Sequence, residues 1–376
     1  MKFTCTQENF LEGVRHVAHL AGKNTTLPIL NHILLKAEKG TLQLLTTNLE
    51  IGITSTVRAK IEQEGSITLP AKALLEYIQL LPKETIQCET EEQNLIIQGG
   101  KQKTKIRGAS PEDFPLLPAV SIEQEIHIPE QDMRRALSRV VFSVAQDETR
   151  VDISGIFIKV EKKQETKKTY CVLVATDSYR LAEHHIPLEE TTAQDIHTII
   201  PTRTIQELLR LLREGGETPT MLTMGFGGHQ VLFSFNNITL LSRVIEGKYP
   251  DYQAIIPQHT KMTFHTDRLE LIRAVRSASI FSRPGIYDVR FAFDAAAKEL
   301  TLASGNNQLG EHEAHVIGDL EGNDTNSIFN HRYVLDGLSA MESDRVSIAL
   351  VDASSPAVFR PEGDTSYQYL VMPIKQ

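Results

Sequence analysis

Ser66-Ile67-Thr68-Leu69-Pro70 is followed by Ala73, Leu74, Leu75, Ile78 and Leu81. The same phrase returns as His197-Thr198-Ile199-Ile200-Pro201 with Ile205, Leu208, Leu209, Leu211 and Leu212. It returns again as Asn326-Ser327-Ile328-Phe329-Asn330 with Val334, Leu335, Leu338 and Met341. Each copy reads as a short apolar strand, a turn residue and one amphipathic helix. The copies stand roughly 130 residues apart, too far for a solenoid unit, so the period points to three whole domains of one kind.

A second helix opens each repeat, over residues 8–22, 130–144 and 267–281. Each places apolar residues three and four apart in one stripe: Phe10, Leu11, Val14 and Val17; Met133, Leu137, Val140 and Val141; Leu269, Ile272, Val275 and Ile280. Between the helices, residues 40–46, 230–235 and 300–303 alternate as strands do. Runs of strands between single helices predict antiparallel sheets in an α+β fold. Phe114-Pro115-Leu116-Leu117-Pro118 and Tyr249-Pro250-Asp251-Tyr252-Gln253-Ala254-Ile255-Ile256-Pro257 close the first two repeats. The expected domains are therefore 1–122, 123–257 and 258–376. Glu161-Lys162-Lys163-Gln164-Glu165-Thr166-Lys167-Lys168 lies between two strands and reads as a solvated hairpin tip.

The 376 residues are 41% apolar and 23% charged, an ordinary globular balance that gives each repeat enough chain for a core. No apolar run reaches the roughly 18 residues of a bilayer span, and the start lacks the apolar core of a signal peptide. Cys5, Cys88 and Cys171 form no CxxC pair. They read as reduced thiols in a cytosolic protein with no membrane partner.

The net charge of −9 argues against nucleic acid until its distribution is considered. The six helical segments, taken as residues 8–23, 70–83, 130–147, 201–214, 267–283 and 329–345, hold 16 Lys and Arg against 13 Asp and Glu, a net +3, so the remainder carries −12. Helices favour Arg and Lys in any case. The other reading is a mildly positive helical surface that meets phosphates without reading bases. Lys101, Lys103, Lys105 and Arg107 fall on one face of a strand. Lysines of this kind protect an edge from aggregation, or pair it with an acidic edge of another subunit. Glu311 and Glu313 are the candidate acidic partners.

No constellation for catalysis emerges. Gly225-Phe226-Gly227-Gly228 precedes a strand rather than a helix and reads as a tight hairpin, not a phosphate loop. Adjacent His184 and His185 face opposite ways on a strand, and no Cys or carboxylate cluster completes a metal site. Asp177 and Ser178, with histidines elsewhere, do not make a triad. The expectation is no metal, no cofactor and no catalytic residue.

Taken in order, Met1-Lys2-Phe3-Thr4, Thr26-Leu27-Pro28-Ile29-Leu30, Val174-Ala175-Thr176-Asp177, Arg180-Leu181-Ala182, Tyr249-Pro250-Asp251-Tyr252, Tyr333-Val334-Leu335 and Val371-Met372-Pro373-Ile374 make the full chain resemble the beta subunit of bacterial DNA polymerase III, the beta sliding clamp family. The resemblance implies a DNA clamp fold. Two subunits pair head to tail in a closed ring around duplex DNA, with sheets outside and helices lining the hole. It implies a processivity factor that tethers the polymerase III alpha subunit, the clamp loader, other polymerases and repair proteins through short peptides. The peptide pocket would be walled by Ile153, Thr176, Tyr179, Arg180, Leu181, Pro250, Ile255, Tyr333, Met372, Pro373 and Ile374. Ser178-Tyr179 departs from a common Gly-His, Ala254 from a common Arg, and Ile374 from a second Met.

On that basis Lys23, Asn24, Lys72, Arg135, Arg139, Arg203, Arg210, Arg273 and Arg276 are expected to face DNA. Lys101, Lys103, Lys105, Arg107, Ile280, Phe281, Glu311 and Glu313 are expected at the dimer interface. The alternative function is a repeat-built protein scaffold that never encircles DNA, and the net acidity leans that way.

Overall fold

The computed structural model describes the chain apart from residues 23–25, 39, 119, 148, 164–166, 190–194, 215–219 and 376, and apart from side chains 213 and 214. Among the described residues the first repeat forms β1 (Lys2–Thr6), α1 (Gln7–Ala18), β2 (His32–Glu38), β3 (Thr41–Thr47), β4 (Ile51–Val57), β5 (Lys60–Gln63), β6 (Gly65–Pro70), α2 (Ala71–Leu80), β7 (Thr85–Glu91), β8 (Asn94–Gly99) and β9 (Gln102–Arg107). The second forms β10 (Gln124–Pro129), α3 (Glu130–Val140), β11 (Gly155–Lys162), β12 (Thr169–Thr176), β13 (Arg180–Leu188), β14 (His197–Pro201), α4 (Thr202–Glu214), β15 (Met221–Gly227), β16 (Gln230–Phe235) and β17 (Ile238–Arg243). The third forms β18 (Met262–Asp267), α5 (Arg268–Ile280), β19 (Asp288–Asp294), β20 (Glu299–Asn306), β21 (Gly310–Ile317), β22 (Asp319–Gly322), β23 (Thr325–Asn330), α6 (His331–Ser339), β24 (Arg345–Leu350), β25 (Ala357–Pro361) and β26 (Tyr367–Val371). The α+β class and the threefold repetition stand as expected.

Sheet continuity packages the three repeats into two compact units. One comprises Met1–Gln131 and Gln206–Val244, the other Asp132–Ile205 and Ile245–Gln376. The first unit holds a five-stranded sheet, β5-β1-β7-β8-β9, and an eight-stranded sheet, β10-β15-β16-β17-β4-β3-β2-β6. The second holds a nine-stranded sheet, β14-β11-β12-β13-β26-β25-β24-β18-β22, and a four-stranded one, β21-β20-β19-β23. Every pairing is antiparallel. The two long sheets are made by pairing one repeat with the next. β17 lies on β4, with Ile238 opposite Ser55, and β13 lies on β26, with Arg180 opposite Val371.

Alternation of buried and exposed residues along β2, β3 and β16 turns Ile33, Leu35, Leu42, Leu44, Val231 and Phe233 inward. In the first unit Phe3 and Phe10 meet edge to face at 5.7 Å beneath α1, both fully buried. In the second, Phe291 meets Phe329 at 5.3 Å and Phe264 meets Phe293 at 5.7 Å. Side chains cap α1, α5 and α6 at their starts. Thr6 accepts from the Asn9 N–H, Asp267 from Glu270 and Asn330 from Arg332.

Two helices stop earlier than their apolar stripes suggest. α1 ends at Ala18 rather than Gly22, where the Thr46 hydroxyl donates to the Val17 carbonyl and the Arg210 guanidinium to that of His16. Those last carbonyls find side-chain partners in place of a further helical turn. α3 ends at Val140 and tightens into a 3-10 turn over Val141–Ser143, with the Tyr367 hydroxyl donating to the Arg139 carbonyl. The Gly225–Gly228 stretch is the expected hairpin, Gly227 pairing with Gln230 and Gly228 turning at φ 56°. The lysine-rich hairpin between β11 and β12 is present at Lys163 and Lys168, and its tip at 164–166 lies outside the described residues.

Candidate functional site

The second unit carries a cross-linked turn at residues 176–180, between β12 and β13. The Thr176 hydroxyl donates to the Arg180 carbonyl at 2.7 Å and accepts from the Ser178 N–H at 3.1 Å. One Asp177 oxygen accepts from the N–H groups of Tyr179 and Arg180, and the other from Arg180 Nε at 2.9 Å. These bonds hold Ser178 at φ 76°, a left-handed conformation that costs a non-glycine residue free energy. A glycine would sit there without that cost.

The turn aims two side chains. Arg180 extends to Asp336 on α6, Nη1 to Oδ2 at 2.6 Å, and its guanidinium lies 4.5 Å from the Tyr333 ring centre and 5.5 Å from Phe142. Burial alone would lower its pKa. Tyr369, the bond to Asp336 and the Asp177 charge together outweigh that and raise it. Tyr179 is 63% exposed, with its ring 6.5 Å from Tyr333 and tilted by only 20°. Its carbonyl accepts from the Met372 N–H at 2.8 Å, which ties the carboxy-terminal tail to the turn. Tyr333 in turn accepts from the Tyr369 hydroxyl at 2.9 Å, and α6 can close on Tyr369 because a Cβ on Gly337 would stand 2.2 Å from that ring.

The structure thus brings Thr176, Tyr179, Arg180, Tyr333 and Met372 together. Ile153 and Leu181 do not line a free wall. Both are fully buried in a core with Val172, Val174, Ile199, Tyr249, Tyr252, Val358 and Leu370, because strand alternation turns Leu181 away from Arg180. They support the site from beneath. Pro250 and Ile255 stand exposed on the connector, which Tyr249 anchors by stacking on Phe157 at 4.8 Å. Pro373 and Ile374 follow β26 in the chain, with the Ile374 N–H donating to the Ile328 carbonyl of β23 at 2.8 Å beside a cavity of about 590 Å³. The sequence reading missed Asp336 and Phe142. Asp336 stands one residue beyond the quoted Tyr333-Val334-Leu335, but only the fold brings it to Arg180.

Of the expected phosphate-facing cations, Lys72, Arg203, Arg273 and Arg276 are exposed, and Arg135 is half-exposed between Asp132 and Glu342. Arg139 and Arg210 are corrections. Arg139 keeps 6% of its side-chain surface, bonds Asp364 at 2.7 Å and lies over the Tyr367 ring. Arg210 binds Glu207 at 3.0 Å and caps α1. Both guanidiniums are committed to partners of the same chain, Arg139 buried and Arg210 partly exposed. Lys23 and Asn24 lie outside the described residues.

β9 and β21 are each the last strand of their sheet. Lys103, Lys105 and Arg107 are exposed along β9, while Lys101 lies in the turn before it. Glu311 and Glu313 are exposed on β21. At the end of α5, Ile280 is 64% exposed and Phe281 stacks on His312 at 5.5 Å. His184 is buried against Tyr367, and burial followed by the Arg139 charge lowers its pKa to about 4, while His185 binds Glu183 at 2.7 Å. Among the described residues no three His, Cys, Asp or Glu side chains gather to hold a metal.

Three like α+β repeats, joined edge to edge into long antiparallel sheets and leaving, among the described strands, an unpaired edge on each outer repeat, define the DNA clamp class of fold. The chain belongs to the DNA polymerase III beta subunit family, the sliding clamps, matching its N-terminal domain over residues 1–118, its central domain over 127–251 and its C-terminal domain over 253–375. The beta sliding clamp of Bacillus subtilis is 29% identical over the whole of both chains, and that of Staphylococcus aureus is 27% identical over 100% of this chain and 99% of its own. The DNA polymerase III subunit beta structure from Pseudomonas aeruginosa superposes with a TM-score of 0.93 at 27% identity, covering 100% of each chain. The Bacillus subtilis sliding clamp structure gives 0.92 at 27%, covering 100% of this chain and 99% of that one.

Proposed function

We propose that this sliding clamp works as a head-to-tail homodimer, a ring around duplex DNA, with β9 of one copy pairing against β21 of the other. The observation that carries the reading concerns edges. Within the chain, the third strand of one three-strand run pairs with the last strand of another: β4 with β17, and β13 with β26. By position in the repeat, β21 is the counterpart of β4 and β13, and β9 is the counterpart of β17 and β26. Both end their sheets unpaired among the described strands. One is basic and the other acidic, which suits a heterologous contact that closes on itself. On this reading the joints between the three domains fall near residues 122 and 257.

Duplex DNA is held through phosphates alone, by exposed helix cations such as Arg203, Arg273 and Arg276, so the ring slides. The turn at 176–180 with Tyr333 and Met372 takes a short extended peptide from the polymerase alpha subunit, the clamp loader or other DNA-processing proteins. The ring performs no chemistry. It raises the tethered enzyme's effective concentration at the DNA. No helix among the described residues is long and apolar enough to cross a membrane, and the proposed setting is the bacterial cytoplasm. Primer extension on a long circular template by the cognate polymerase and clamp loader tests the function. Longer products from single binding events are expected with the protein present, and unchanged product lengths would refute it.

A further inference from the structure

A cavity of about 440 Å³ in the second unit is lined by β13, β25, β26 and the connector at Gln253, Ile256 and Gln258. None of residues 176–180, Tyr333 or Met372 lines it. Across its strands runs a polar row. Gln368 on β26 lies opposite Glu183 on β13 and stands between that carboxylate and Arg360 on β25. Gln368 Oε1 accepts from Arg360 Nη2 at 2.9 Å, and its Nε2 donates to Glu183 at 2.9 Å. A guanidinium only donates and a carboxylate only accepts, so the amide has one possible orientation. Glu183 takes a second bond from His185 Nε2 at 2.7 Å, and Glu161 holds Lys159 Nζ at 2.7 Å. Both carboxylates of the cavity are thus engaged by the chain itself. Arg360 is left over. Arg139, Arg180 and Arg210 hold carboxylates at 2.7, 2.6 and 3.0 Å, whereas the half-buried Arg360 has no such ion pair among the described residues. Burial lowers its pKa, and the Glu183 charge offsets that only in part.

We propose that this cavity is a binding site for a small monocarboxylate, with Arg360 as the group that takes its carboxylate. Gln368 fixes the guanidinium at one corner and leaves the rest of its fork to the cavity. A fork held in place loses little freedom on binding, and its planar donors match the two oxygens of a carboxylate. A partly desolvated charge without a counter-ion is costly, and an incoming anion relieves that cost. Lys163, whose ammonium lies 5.1 Å from the Tyr170 ring, adds a second positive charge to the lining. Glu161 and Glu183 line the same space, so a phosphate dianion meets more repulsion there than a single carboxylate does. The volume suits a small molecule, whose remainder would meet Gln253, Ile256 and Gln258. The proposal is independent of the peptide site.

The test screens the full-length protein by ligand-observed NMR against a panel of monocarboxylates that includes benzoate and N-acetylglycine. Each is paired with its neutral carboxamide, and inorganic phosphate is included. Calorimetry then measures the best pair on wild type, Arg360→Gln, Arg360→Lys and Tyr179→Ala. The carboxylate should bind wild type about tenfold or more tightly than its amide, the size of a charge-assisted hydrogen bond. Arg360→Gln should erase that preference, and Tyr179→Ala should keep it. Arg360→Lys retains the charge without the fork and should bind the carboxylate about threefold or more weakly than wild type, which supplies the comparison if Arg360→Gln does not fold. The inference is overturned if no carboxylate is preferred to its amide, if the preference survives unchanged in the Arg360 variants, or if it is lost in Tyr179→Ala. Phosphate binding more tightly than every carboxylate overturns it as well.

Discussion

Leu49 and Ser178 occupy the same corner of two copies of one turn, at φ 79° and 76°, each bonded to a threonine hydroxyl two residues back. Neither is glycine, so each stores backbone strain that the local hydrogen bonds hold in place. Ser178→Gly should relieve it. The gain is offset in part by the greater freedom of glycine in the unfolded chain, leaving a stabilisation of up to about 1 kcal/mol. Chemical denaturation of the two proteins checks this, and unchanged or lower stability in Ser178→Gly would show that Ser178 is not strained.

The proposed interface predicts its own repair. Reversing Lys103, Lys105 and Arg107 to Glu should weaken the dimer, most strongly at low salt, since exposed ion pairs contribute about 0.2–1 kcal/mol each. Reversing Glu311 and Glu313 to Lys in the same chain should restore it. Ile280→Asp with Phe281→Asp should give monomers outright, because an apolar anchor is lost. Sedimentation equilibrium reads all three, and a dimer untouched by the apolar pair would remove these residues from the interface.

Arg273 and Arg139 should separate binding from folding. Arg273→Ala with Arg276→Ala should weaken DNA association and flatten its salt dependence while leaving stability nearly unchanged. Arg139→Ala should cost about 3 kcal/mol of stability, because it strands the Asp364 carboxylate in a partly buried network. Its effect on the salt slope should be nil.

The buried histidines set an acid limit. His16 and His184 both have pKa values lowered to about 4, chiefly by burial, with Arg210 and Arg139 respectively adding to it. A depressed histidine contributes stability that is fully present above its unfolded pKa near 6.5 and is lost as pH falls toward 4. Each shift corresponds to at most about 3 kcal/mol. Glu183 and Asp364, lowered to about 2 against the opposing effect of burial, add further losses only below about pH 4.5. Melting temperature should therefore begin to fall below about pH 6.5, and His184→Gln should flatten that first slope. An unchanged slope would mean His184 titrates normally.

Much of this was legible in the chain because repetition carries its own check. One strand-turn-helix phrase could be chance, but Pro70, Pro201 and Asn330 each precede a helix that forms. Three positions resisted for physical reasons. Arg139 and Arg210 look like surface cations because their helical spacing is all the sequence offers, whereas Asp364 and the His16 carbonyl reach them from remote parts of the chain. Leu181 follows a site arginine and as an apolar residue fits a pocket wall, yet strand alternation turns it inward. The division of the second repeat between two units was invisible because it depends on β17 meeting β4 and β13 meeting β26.

Removing residues 372–376 deletes two main-chain ties, from Met372 to Tyr179 and from Ile374 to Ile328, but no strand. The truncated protein should lose polymerase stimulation and peptide binding and keep its dimer mass. Normal peptide affinity after truncation would put the partner site elsewhere.

The most direct test of the ring is topological. The clamp loader places the protein on nicked circular DNA, and gel filtration in moderate salt follows the complex before and after a single cut that linearises the circle. Encirclement predicts that the protein stays with the circle and leaves once the DNA has ends. Retention on linear DNA equal to that on the circle, or no retention on either, would contradict it.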